Sequence, residues 1–142
     1  GVAVRMAKHP SSLMVCGDVA TKLEAARSVT DREVVLYDGA LRALCPQAPN
    51  NVNTMAAAAL AGVGFDRTHA TLVSDARLES HEIRITVEGA MNAATGTRFR
   101  VVTERSNPAK PGAVTGSATY ASFLSSLLVL ARSRGAHGVR FC

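Results

Sequence analysis

The sequence has no tryptophan, and aromatic residues make up only 4% of its 142 residues. A core built from it is therefore aliphatic and rich in alanine. Cysteine is scarce: Cys16, Cys45 and Cys142 are odd in number, far apart and form no C-x-x-C pair. That spacing argues against a disulfide framework and a structural zinc site, and points to a reducing, cytoplasmic compartment. No signal peptide is recognisable, and Ser122, Ser125 and Ser126 interrupt the longest apolar run, so no membrane-spanning segment is expected. The net charge of +5 is spread along the chain, without the Lys/Arg runs and interleaved aromatics of a nucleic-acid surface. Neither a membrane nor a nucleic acid is an expected partner. A mildly basic surface, or an anionic small-molecule ligand, accounts for the charge.

What is present is a globular composition, 47% hydrophobic and 19% charged, enough for one domain with a real core. The chain opens at Gly1 without a methionine and enters a strand-like pattern at once. It reads as one domain of a longer protein.

The organising stretch runs from Cys45 to Gly62. Pro46 and Pro49 hold Gln47 to Asn50 out of helix, because each removes a backbone donor and restricts the residue before it. Asn53 is placed to cap the helix that follows, and Met55 with four alanines propagates it at little entropic cost. Gly62 or Gly64 supplies a left-handed stop. The helix start presents asparagines and free amides, which suit an anion or the polar edge of a cofactor. An ordinary capped helix in a tight package is the other reading.

Around this stretch, Val2, Val4 and Met6 alternate as a half-buried strand, and Val19 to Ser28 carries helix formers. Val34 to Tyr37 is a short strand, with a turn at Asp38-Gly39 and one or two helical turns over Ala40 to Leu44. Ala70 to Ser74 has the β-branched character of a strand. Ile83, Ile85 and Val87 define the apolar face of another, and His81 shares their parity at its N-terminal end. Arg98 to Thr103 pairs back on it, and Ser106 to Gly116 reads as a loop. Thr115 or Ser117 caps a final helix reaching about Arg134, with Tyr120, Leu124, Leu127, Leu128 and Ala131 on its core face. About four strands and three or four helices give an α/β (α+β) domain: a single layer of mixed, mostly antiparallel sheet with helices packed on one face.

His81 is the first candidate for chemistry. On the inward face at a strand end, it either transfers protons in a cavity beyond the sheet or is a satisfied core side chain. His9, His69 and His137 fall at turns or termini. Gly62-Val63-Gly64-Phe65-Asp66-Arg67 only half matches a dinucleotide fingerprint, since it follows a helix and ends in arginine. Cys45, between Leu44 and Pro46, is a packed side chain rather than a nucleophile.

The pattern Cys45-Pro46-x-x-Pro49-x-Asn51-Val52-Asn53 before an alanine-rich helix resembles the F-P-x-N-V-N segment of L-aspartate dehydrogenases. Further landmarks follow in the family's order: Tyr37-Asp38-Gly39, Gly64-Phe65-Asp66-Arg67-Thr68, Val73-Ser74-Asp75, Ser80-His81-Glu82-Ile83 and Asn107-Pro108. The run Gly112 to Ala118 is most similar to the animal aspartate dehydrogenase domain-containing proteins.

The resemblance implies the C-terminal domain of a two-domain Rossmann-type dehydrogenase, carrying catalysis and most of a homodimer's contacts, with the NAD-binding domain outside this chain. It implies oxidation of a small dicarboxylate amino acid, L-aspartate, to iminoaspartate with NAD or NADP, water then giving oxaloacetate and ammonia. It places the catalytic histidine on His81 and the nicotinamide-side asparagine on Asn51, with Asn53 as the alternative. Substrate contacts fall on Asn107, Thr115 and Ser117, and Arg67 and Lys110 are the cations to watch. No metal is implied.

The chain departs from the family at Glu79, where an asparagine is usual, at Cys45, where an aromatic is usual, and in the insertion Ala109 to Val114. These departures leave two other readings open. One is a catalytically silent relative acting as a dimerisation or ligand-binding module. The other is a dehydrogenase for a related amino acid.

Overall fold

Alternation in β1 (Val2–Lys8) sets the architecture: Val2, Val4 and Met6 point to one face of the sheet and are buried there. The computed structural model describes residues 1–132, and β1 is the central strand of its five-stranded sheet. The order is β2 (Val34–Ala40), β3 (Thr68–Ser74), β1, β4 (Ser80–Met91), β5 (Arg98–Pro108). β1 and β3 run parallel, and the other three neighbouring pairs are antiparallel. The mixed, mostly antiparallel sheet expected from the sequence is therefore what forms, with five strands rather than about four.

Cross-strand register carries the apolar face sideways. Val4 lies between Ala70 and Ile85, and Met6 between Leu72 and Ile83. Three helices cover this face: α1 (Gly17–Ala26) with Val19 and Leu23, α2 (Leu41–Leu44) with both its leucines, and α3 (Asn53–Ala61) with Met55 and Ala59. Leu41, Leu44, Met55 and Leu72 are fully buried, each worth about 1.5–3 kcal/mol relative to exposure. Pro46 and Pro49 keep the intervening loop out of helix as expected, and Gln47 closes it onto α1. The Gln47 carbonyl accepts from Cys16 N at 2.7 Å and its Oε1 from Val19 N at 3.3 Å. Gly64, at φ +83°, is the left-handed stop after α3, its N–H donating to the Ala59 carbonyl at 2.9 Å.

Four local expectations are corrected. Asn53 is not the cap of α3: the Val52 carbonyl accepts from Ala56 N at 2.7 Å, so Val52 holds the cap position and supplies no side-chain acceptor. Asp38-Gly39 is not a turn, because β2 continues to Ala40 through a bulge and Asp38 accepts from Thr71 Oγ1 at 2.7 Å. β5 does not end at Thr103 but runs to Pro108, since its pairing with β4 continues and an edge strand tolerates proline there. The final helix, α4 (Ala118–Arg132), buries no residue. Tyr120, Leu124, Leu127 and Leu128 form the stripe read from the sequence, yet all are 46–76% exposed. Helical periodicity shows that a stripe wants a partner, and the described residues do not supply it. Residues such as Arg134 and His137 lie outside those described. Among the described residues no helix is long and apolar enough to cross a membrane.

Candidate active site

The helix-covered face of the sheet changes character at one end. Carrying the β1–β4 register one residue past Ala7↔Glu82 sets Lys8 opposite His81, and His81 in turn pairs with Asn107 on β5. Lys8, His81 and Asn107 thus form one polar row across three strands, and all three are buried. The next row is Met6, Ile83 and Arg105. Both rows floor a cavity of about 310 Å³, walled by Asn50, Asn51, Asn53 and Thr54 at the start of α3 and roofed by Val114 to Gly116 and α4. The core face continues into the site, and polar side chains replace apolar ones where the helices stop covering it.

His81 reaches this cavity as its strand parity predicts. Its Nε2 lies 3.0 Å from the Ala113 carbonyl, which fixes the proton of the neutral ring on Nε2. Nδ1 has no partner among the described residues. No fully buried side-chain nitrogen or oxygen there lacks one, so Nδ1 is open to the cavity that His81 lines. Burial, and secondarily the charge of Lys8, push the imidazole below its usual pKa of 6.5, against a smaller opposing effect of the Ala113 bond. A neutral ring with an open lone pair is a proton acceptor near neutral pH.

Lys8 and Arg105 are the residues that sequence reasoning missed. Lys8 Nζ donates to the Val114 carbonyl at 3.0 Å, and burial pushes its ammonium from 10.5 down to about 8. No ion pair joins it to a carboxylate among the described residues, while Arg5, Arg42, Arg77, Arg84 and Arg98 each have one. Arg105 likewise has none. The titratable groups lining the cavity are Lys8, His81 and Arg105, with no Asp or Glu among them. The parity of β1 was the available signal for Lys8, since it continues Val2, Val4 and Met6. Arg67 and Lys110 do not line the cavity, and Arg67 Nε donates to the Val63 carbonyl at 3.1 Å.

The asparagines divide their work. Asn51 is buried, its Oδ1 accepting from Met14 N at 3.0 Å and its Nδ2 lying 3.5 Å from the Ser12 carbonyl. Its amide ties the start of α3 to the loop after β1. Asn53 is exposed on the first turn of α3, beside amides that Val52 leaves uncapped. On the far wall, Asn107 Oδ1 accepts from Ala118 N, the first amide of α4, at 3.4 Å. Ser117, expected to cap that helix, instead donates its hydroxyl to the Pro108 carbonyl at 3.4 Å. Thr115 lines the cavity and Ser117 does not. Gly116 packs so closely on Asn107 that any Cβ would collide with its amide.

Residues 1–126 match the family model described as aspartate dehydrogenase, C-terminal. The chain belongs to that family. An aspartate dehydrogenase domain-containing protein of Xenopus tropicalis is 50% identical over 128 residues, covering 88% of this chain and 44% of the relative. One from Danio rerio is 47% identical over 133 residues, covering 90% and 44%. An L-aspartate dehydrogenase of Ruegeria pomeroyi is 38% identical over 103 residues, covering 72% and 34%. The chain thus spans less than half the length of these curated relatives. The crystal structure of the Thermotoga maritima aspartate dehydrogenase shares its fold, with a TM-score of 0.56 at 16% identity, over 97% of this chain and 46% of that one. The chain is therefore a member of the aspartate dehydrogenase C-terminal family by sequence, and its fold is that of the Thermotoga structure.

Proposed function

We propose that this domain supplies the acid–base and substrate-binding half of an NAD(P)-dependent L-aspartate dehydrogenase, with His81 as general base. The observation that carries the reading is a neutral histidine opening onto a cavity whose titratable lining is entirely basic. Such a lining favours a dianionic substrate over a neutral or cationic one.

The chain's own residues fit one end of a dinucleotide. The uncapped first-turn amides of α3, with Asn53 and Thr54 beside them, match the donors and acceptor of a carboxamide, and Asn51 holds that helix end in place. The bound nicotinamide supplies the hydride acceptor for the substrate's α-carbon. The remainder of the dinucleotide would be held outside this domain, which spans less than half the length of its curated relatives.

His81 Nδ1 takes a proton from the substrate's α-ammonium, which leaves the amine lone pair free to form the imine as hydride departs. The imidazolium is destabilised by burial and by Lys8, so it returns that proton to solvent readily. The neutral ring is then ready to deprotonate the water that adds to the imine carbon, on the way to oxaloacetate and ammonia. Ala113 keeps the tautomer unchanged between the two steps.

The exposed stripe of α4, with Phe99 and Val101 on the same face of β5, is where a second copy of the protein would seat, forming a homodimer.

The test uses the full-length protein, following NADH and NADPH oxidation with oxaloacetate and ammonia beside His81→Ala. Oxidation requiring both substrates, and falling at least about 100-fold in the variant, is the expected result. A folded dimer that is silent with both cofactors would instead make this domain a binding or dimerisation module.

A further inference from the structure

The lateral order of the sheet puts two cations on opposite sides of His81. Lys8 stands on β1, His81 on β4 and Arg105 on β5, all on the helix-covered face and all lining one cavity. Directly opposed side chains across an antiparallel pair stand about 5 Å apart at Cβ, and diagonal ones about 7–8 Å. Lys8 is directly opposite His81, whereas Arg105 is diagonal to it, opposite Ile83. Neither cation has a carboxylate partner among the described residues, although the chain pairs Arg84 with Glu104, next to Arg105 in sequence but on the other face. A buried, unpaired ammonium is costly to keep, and a bound anion offsets that cost.

We propose that Lys8 and Arg105 are the specificity-determining pair of this site, Lys8 holding the α-carboxylate of a dicarboxylic substrate and Arg105 its distal carboxylate. The assignment follows from bond count. The proton leaves the amine on the α-carbon, so the group nearest His81 takes the carboxylate one bond from that carbon. The diagonal, more exposed arginine takes the carboxylate two bonds away. Arginine at the outer position also suits discrimination, because its fork recognises a carboxylate through two parallel hydrogen bonds. The pair explains how a domain with neither Arg67 nor Lys110 in its cavity would select a dianion. It rests on the dehydrogenase reading for which atom reacts, but its binding predictions do not need turnover.

The experiment compares the full-length wild type with Arg105→Gln, Arg105→Lys and Lys8→Met, on oxaloacetate and on pyruvate, which lacks the distal carboxylate. Arg105→Gln is expected to lower kcat/KM for oxaloacetate about 10- to 100-fold, chiefly through KM, and to leave pyruvate unchanged. Arg105→Lys recovers part of the loss. Lys8→Met is expected to lower both substrates alike. Equal losses on both substrates in Arg105→Gln, or none, overturn the assignment. Succinate binding, read by calorimetry on the same proteins, separates the two ideas. If the wild type binds succinate, Arg105→Gln and Lys8→Met both weaken it and no turnover is seen, the clamp stands and the dehydrogenase reading falls. If the wild type turns over oxaloacetate while neither Arg105→Gln nor Lys8→Met changes KM or succinate affinity, the clamp falls alone.

Discussion

β3 and β5 belong to one sheet, yet their surroundings are opposites. β3 buries Thr68, Ala70, Leu72, Val73 and Ser74, whereas β5 buries Asn107 alone. The half of the domain on the β3 side is closed: α1, α2 and α3 converge there on leucines and methionines with almost no exposure. The half made of β5 and α4 is open, with Phe99, Tyr120 and Phe123 each at least 68% exposed. The polar row Lys8–His81–Asn107 lies on the seam between them. A closed half gives the histidine a rigid floor and a dry surrounding that lowers its pKa, and an open half leaves room for ligand and partner to approach.

The contrast is testable from both sides. Leu72→Ala, in the closed half, is expected to lower the unfolding free energy by about 2–5 kcal/mol in a urea titration. A loss below about 1 kcal/mol would mean that the closed half is not the stability core. At the seam, Gly116→Ala forces the roof away from Asn107, because a Cβ has no room there. About 10- to 100-fold loss of kcat/KM is expected, with a smaller change in urea midpoint than for Leu72→Ala.

Lys8→Met is expected to act in the opposite sense to both, raising stability at pH 7 by about 1–2 kcal/mol while impairing substrate binding. Its pH signature follows from linkage. The folded ammonium has a pKa of about 8 against 10.5 when unfolded. Between these values the unfolded chain holds the extra proton, so wild-type stability rises as pH climbs from about 8 toward 10.5. Denaturation midpoints across that range should climb less in the methionine variant. The same groups shape catalysis. The carboxylate contact needs charged Lys8 and the base needs neutral His81, with Arg105 the third charge facing them. For aspartate oxidation kcat/KM should therefore fall above pH 8, as Lys8 deprotonates, and also fall on the acid side below 6.5, where His81 protonates. The smallest folding effect is expected in the open half. Leu127→Ser on α4 should change monomer stability by no more than about 0.5 kcal/mol, yet shift the sedimentation of the full-length protein from dimer toward monomer.

Much of the closed half was legible because its signals are local. A period of two shows the faces of β1 and β4 and assigns His81 to the inward set, and two prolines mark a loop wherever they occur. Lys8 was legible by the same parity but carries a charge, and a charged strand end is ordinarily solvated. Asn107 read as a loop residue because β5 persists to Pro108 only through pairing with β4, a partner remote in sequence. The start of α3 drew attention to its asparagines, but their separate tasks depend on where the Ser12 and Met14 backbone lies.

The sequence by itself determined which residues face inward along β1 and β4, where α3 must stop, and that α4 carries an apolar stripe in search of a partner. Those are consequences of backbone geometry within a few residues. Tertiary structure alone decided that Lys8, His81 and Asn107 share one row and that Arg105 flanks them unpaired. Cross-strand register is set by the summed packing of the whole sheet, which no short stretch encodes.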